Sequence, residues 1–122
     1  MSILMAKHHS CGFYSGEAFI EIGRIRNLAK KNNAEAVDSH LSLLEKEIDN
    51  VALHCGIVDL TEEKQHLSNI RTAVKNKQLD KIDSETYQFE KKLVTKLAKE
   101  HNEGGDPLEV IPSRMWDALD KP

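Results

Sequence analysis

Apolar residues recur at helical spacing between Asn33 and Gly56. Counting from Ala34, they fall at Val37, Leu41, Leu44, Ile48, Val51 and Cys55, alternating steps of three and four. That pattern makes one continuous apolar seam about three heptads long on a single helix. Asn33 is the predicted N-cap and Gly56 the predicted stop, in a left-handed conformation that a side chain would resist. The seam needs covering, and the rest of the chain supplies candidates.

Upstream, Met1 to Tyr14 has no clear period and reads as a loose N-terminal arm. Ser15 is the predicted N-cap of a helix over 16–31, with Phe19, Ile22, Ile25, Arg26 and Ala29 on or beside one face. Gly23 inside it costs up to about 1 kcal/mol against Ala and suggests close approach of a neighbouring helix. The short Asn32-Asn33 turn predicts an antiparallel second helix. Downstream, Asp59 and Glu62 stand at capping-box spacing before a helix over 62–77 that buries Leu67, Ile70, Ala73 and Val74. Residues 78–83 read as a connector whose Leu79 and Ile82 plug the end of the bundle. Asp83 or Ser84 caps a fourth helix to His101, burying Thr86 or Tyr87, then Phe89, Leu93, Val94 and Leu97. Gly104-Gly105-Asp106-Pro107 is the clearest break. After it, Ser113 caps a predicted short helix with Met115, Trp116 and Leu119 on one edge. The expected architecture is all-α, an up-and-down antiparallel bundle of four main helices plus a short C-terminal helix. Its bundle domain covers 1–103, followed by a Gly-Gly-hinged arm over 104–122.

Composition agrees with this. Aromatic residues are only 5% and Gly plus Pro number nine, against 30% charged residues. That balance favours helices over sheets. At 122 residues the chain is large enough for one core without metal or cross-links. No apolar run approaches the roughly 20 residues of a membrane span, and Ile3-Leu4-Met5-Ala6 is too short for a signal peptide core. The expected location is therefore the cytoplasm, where Cys11 and Cys55 would be free thiols. The net charge of −3 conceals an alternation: residues 1–33 carry +3, 34–66 carry −6, 67–101 carry +3 and 102–122 carry −3. An acidic central helix between two basic ones suits helices whose edges attract, each exposed pair adding under about 1 kcal/mol.

Candidate chemistry is sparse. His8, His9 and Cys11 could give a transition metal two or three ligands, but no second cluster completes a four-ligand site. His40, Glu47 and His54 repeat every seven residues along one flank of the central helix. The Glu-x-x-His pairs that di-iron bundles use are nevertheless missing. A bundle with a surface His resembles histidine phosphotransfer domains in architecture alone. Their H-x-L-K-G pattern is not matched, since His40 is followed by Leu-Ser-Leu-Leu and His54 by Cys-Gly-Ile-Val. Phosphotransfer and metal binding stay minor alternatives. The chain also shows no phosphate-binding glycine loop, no G-x-S-x-G and no H-E-x-x-H. Neither a cofactor nor an enzyme activity is expected.

Two surfaces remain. Lys92, Lys96 and Lys99 share one side of the fourth helix, with Arg71, Lys75 and Lys77 as possible extensions, and would suit a weak phosphate-tracking role. The C-terminal arm, with Val110, Ile111, Met115, Trp116 and Leu119, must bury its apolar edge on its own bundle or on a partner, and Trp is a favoured anchor. The expected function is a small cytoplasmic interaction protein, an adaptor or regulator able to self-associate as a homodimer. The alternative is a small regulator that contacts nucleic acid through the Lys-rich helix. Membrane contact is not expected.

Overall fold

The computed structural model describes the backbone of residues 3–102 and the side chains of residues 11–99. The Gly104-Gly105 break, the predicted short helix and its candidate anchors lie outside the described residues. Four helices and no strand make up the described part: α1 (Ile3–Lys30), α2 (Ala34–Cys55), α3 (Thr61–Lys75) and α4 (Asp80–Asn102). No helix among them is long and apolar enough to cross a membrane.

α2 forms as its pattern dictates. Asn33 accepts a hydrogen bond from the Ala36 amide at 3.2 Å, satisfying one of the first-turn donors. At the other end Gly56 adopts φ 71°. The Ile57 amide then donates to the Ala52 carbonyl at 3.0 Å, so Ile57 folds back and is buried. All six seam residues beyond Ala34 are buried. They meet Phe19, Ile22 and Ile25 from α1, Leu67 and Ile70 from α3, and Phe89, Leu93, Val94 and Leu97 from α4 in one core. Ile57 and Leu60 close the core where α2 passes into α3, and Ile82 is buried at the start of α4.

Three expectations about boundaries and cysteines are corrected. The stretch read as a loose arm is helical from Ile3, so Ser15 is not a cap. Gly12 and Gly16 weaken a helix by about 1 kcal/mol each, but Cys11, Ser15 and Ala18 are fully buried, and that packing outweighs local preference. Second, Cys11 and Cys55 are not free thiols. With α1 extended, their Cα atoms stand 4.7 Å apart and the two are joined as a disulfide. Third, α4 begins at Asp80, so Ile82 belongs to its first turn and not to a separate connector. The chain turns there through Lys77 at φ 57°, with the Gln78 amide donating to the Ala73 carbonyl at 2.8 Å.

The Cys11–Cys55 cross-link spans a sequence separation of 44 and ties the first half of α1 to the end of α2. Closing a loop of that size removes denatured-chain entropy, so Cys11→Ser is expected to cost about 2–4 kcal/mol in chemical denaturation. Reductant should lower wild-type stability by a similar amount and leave the variant unchanged.

Candidate functional site

The outer edge where α1 meets α2 gathers most of the unusual side chains. Two aromatic residues of α1 start it. Phe13 is exposed and packs edge-on to Tyr14, with ring centres 5.2 Å apart, and Tyr14 stacks on His54 of α2 at 4.4 Å. The disulfide lies directly behind, since Cys11 is one turn before Tyr14 and Cys55 follows His54. Ser15 Oγ is 3.6 Å from Cys55 Sγ and 3.9 Å from Cys11 Sγ.

Further along the same edge sits a polar cluster. Glu21 is almost wholly buried, and His40 donates from Nδ1 to its two oxygens at 2.9 and 3.1 Å. Arg24, largely exposed, reaches Glu21 Oε2 at 3.5 Å. Glu47 points into this group, with Oε2 buried and without a hydrogen-bond partner. Burial pushes its carboxyl from 4.5 up to about 7. The negative charges of Glu21 and Glu17 add to that rise, while Arg24 and His40 oppose it. Ile20 and Leu43 flank the cluster as exposed apolar residues. Leu43 is one turn from both His40 and Glu47, which puts it on their flank.

The sequence pattern placed His40, Glu47 and His54 on one flank, and they do line one edge of α2. It did not show that Glu17, Glu21 and Tyr14 meet them from α1. The signal was available in Tyr14, Glu17 and Glu21, spaced at helical intervals beside the buried positions, once the helix is known to start before Ser15. Among the described residues, no three His, Cys, Asp or Glu side chains are placed to share a metal ion. His8 and His9 fall within α1, and their side chains lie outside the described set. Their proposed companion Cys11 is taken up by the disulfide, so the H-H-x-C ligand group cannot form in this oxidised state.

The Lys-rich face is tied down by α3. Lys92 pairs with Glu62 at 3.1 Å. Lys96 pairs with the fully buried Glu63 at 3.0 Å and also donates to the Asp59 carbonyl. Lys99 is exposed one turn beyond. Arg71 does not extend this face. It turns to α2 and binds Asp38 at 2.7 Å and Glu45, which hold its guanidinium above its usual range, Glu45 contributing most. An open groove of about 830 Å³ runs beside it, lined by residues that include Asp38, Ser39, Ser68 and Lys75. On the opposite side of the core, Arg26 of α1 donates from Nε to Thr86 at 2.9 Å and lies 2.8 Å from the buried Glu90.

Two outcomes test these assignments. A folded-state carboxyl raised to about 7 is disfavoured as an anion, so folding takes up a proton and stability falls as pH rises between roughly 5 and 8. Glu47→Gln should therefore raise the melting temperature at pH 8 and leave it nearly unchanged at pH 5. Lys96→Met strands the Glu63 carboxylate and should cost about 3 kcal/mol in urea titration. Lys92→Met, which breaks an exposed pair, should cost under about 1 kcal/mol. Compared with known proteins, the chain matches no family model, no curated protein and no solved structure.

Proposed function

We propose that the chain is a small helical interaction protein, an adaptor or regulator that self-associates through the outer face of α1 and α2. One observation carries this reading. Among the described residues, four of the five exposed large apolar side chains belong to α1 and α2: Phe13, Ile20, Leu43 and Leu53. The fifth, Val58, follows directly after α2, and α3 and α4 have none. Phe13 and Ile20 are seven residues apart and share one helical face. Gly16 and Gly23 lie one turn beyond each, and a Cβ at either would meet nothing within 4 Å. Among the described residues no helix makes the close approach that Gly23 suggests, which leaves room there for a second copy.

The reading includes an up-and-down antiparallel order of the four helices. Its support is the sequence of cross-helix pairs. Early residues of α1 meet late residues of α2 in Cys11–Cys55, Tyr14–His54 and Glu21–His40. The same reversal holds for Asp49–Lys64 and Asp38–Arg71 between α2 and α3, and for Glu62–Lys92 and His66–Glu85 between α3 and α4. The reading contains no catalytic role. The cytoplasm is the proposed location from the sequence; the Cys11–Cys55 disulfide favours an oxidising compartment instead, since cytosolic reductants would hold the pair as a dithiol. Thiol trapping of the protein in cells reports location and redox state together.

Nucleic-acid contact through Lys92, Lys96 and Lys99 is the second reading. It is less favoured because two of the three lysines already neutralise α3 carboxylates. Light scattering separates the two. The expected result is a dimer mass that Ile20→Glu with Leu43→Glu reduces to monomer, with no salt-dependent binding to a generic duplex. A monomer at every concentration, with duplex affinity that falls steeply with salt and on Lys99→Glu, would transfer the function to α4.

A further inference from the structure

The two most exposed apolar residues of the described chain, Leu53 and Val58, both lie where α2 passes into α3. Val58 is fully exposed, although Ile57 and Leu60 beside it are buried. Contact with α4 is made there as well. Lys96 donates to the Asp59 carbonyl, the residue next to Val58, and reaches Glu63 one turn into α3. The last turns of α4 therefore carry the chain past this apolar end. Phe13 marks its border through the Phe13–Tyr14–His54 ring contacts.

Twenty residues follow α4, and their chemistry complements this end. Residues 103–122 hold five acidic and two basic side chains, and their large apolar members are Leu108, Val110, Ile111, Met115, Trp116 and Leu119. Lys99, exposed near the end of α4, carries a charge opposite to the net charge of that segment. Reach is sufficient: seven residues from Glu103 to Glu109 span up to about 23 Å when extended, several helix turns. Gly104, Gly105 and Pro107 in that stretch are poor helix formers. The apolar part is also tethered to the patch. A tether of this length supplies an effective concentration near millimolar, which favours the chain's own segment over a separate partner.

We propose that the Leu53–Val58 end of the structure is the docking surface for the chain's own C-terminal segment, with Trp116 as its anchor. Leu53 is also one of the exposed apolar residues behind the self-association reading, so the two readings are told apart by their variants: Ile20 and Leu43 for self-association, Leu53 and Val58 for docking. Trp116 is the sole tryptophan and reports directly on its own environment. The test is its emission maximum and acrylamide quenching at a concentration where light scattering gives monomer mass. The expected wild-type result is blue-shifted emission with several-fold protection from acrylamide, unchanged on dilution. Leu53→Glu with Val58→Glu should shift emission to the red and remove the protection. Both sites are exposed, so helicity by circular dichroism should stay at the wild-type value. Ile20→Glu should leave emission unchanged. Solvent-exposed Trp116 emission in the monomer would overturn the proposal. So would burial that appears only on concentration, or burial that survives the Leu53 and Val58 substitutions.

Discussion

Burial of the α2 seam against α1 is the contact on which the other features rest. Val37, Leu41, Leu44, Ile48 and Val51 are fully removed from water, and Phe19, Ile22 and Ile25 from α1 share their core. Removing that much apolar surface supplies the main folding free energy, at about 25 cal/mol per Å². Once α1 lies along α2, Cys11 falls opposite Cys55, and the disulfide holds the first turns of α1 in a helix its own glycines would weaken. The same alignment brings Tyr14 to His54 and Glu21 to His40. The candidate site is thus a by-product of the seam, not a separately built cavity.

α3 and α4 are secured differently. Their apolar residues complete the core, but buried carboxylates fix their placement: Glu63 held by Lys96, and Glu90 beside Arg26. Such pairs add little net stability and cost much when one partner is removed. They penalise misregistered packing, which would leave a charge buried alone. The surface shows the same division. Exposed apolar side chains collect on α1, α2 and the residues just after α2, whereas α3 and α4 face water with charge. Exposed large apolar side chains and surface charge are thus divided between the two halves of the described structure.

Much of the helical content was legible because local and tertiary signals agreed. Asn33, the 3–4 seam and Gly56 each pointed to the same helix, and its ends fall where those residues placed them. The start of α1 was not legible. Nothing local in Lys7 to Tyr14 favours a helix, and its order comes from contacts some 40 residues away in sequence. The missed disulfide follows from the same cause, since an arm read as loose gives Cys11 no fixed partner. At the candidate site, the α2 half (His40, Glu47, His54) could be read from a seven-residue repeat. The α1 half could not, because Glu21 resembles an ordinary surface carboxylate until it is seen to be buried against His40. Lys92 and Lys96 show the opposite error: a shared basic side was readable, but Glu62 and Glu63 as its partners were not.

The functional reading follows from where apolar surface is left uncovered on a fold organised by α2. Native-state hydrogen exchange on the oxidised protein tests that organisation most directly. If the seam is the contact the fold depends on, amides of Leu41 to Val51 and their α1 neighbours Phe19 to Ile25 exchange only by global unfolding, after those of α3 and α4 have opened. Exchange of the α2 amides through a smaller opening, while α3 and α4 remain protected, would contradict the account.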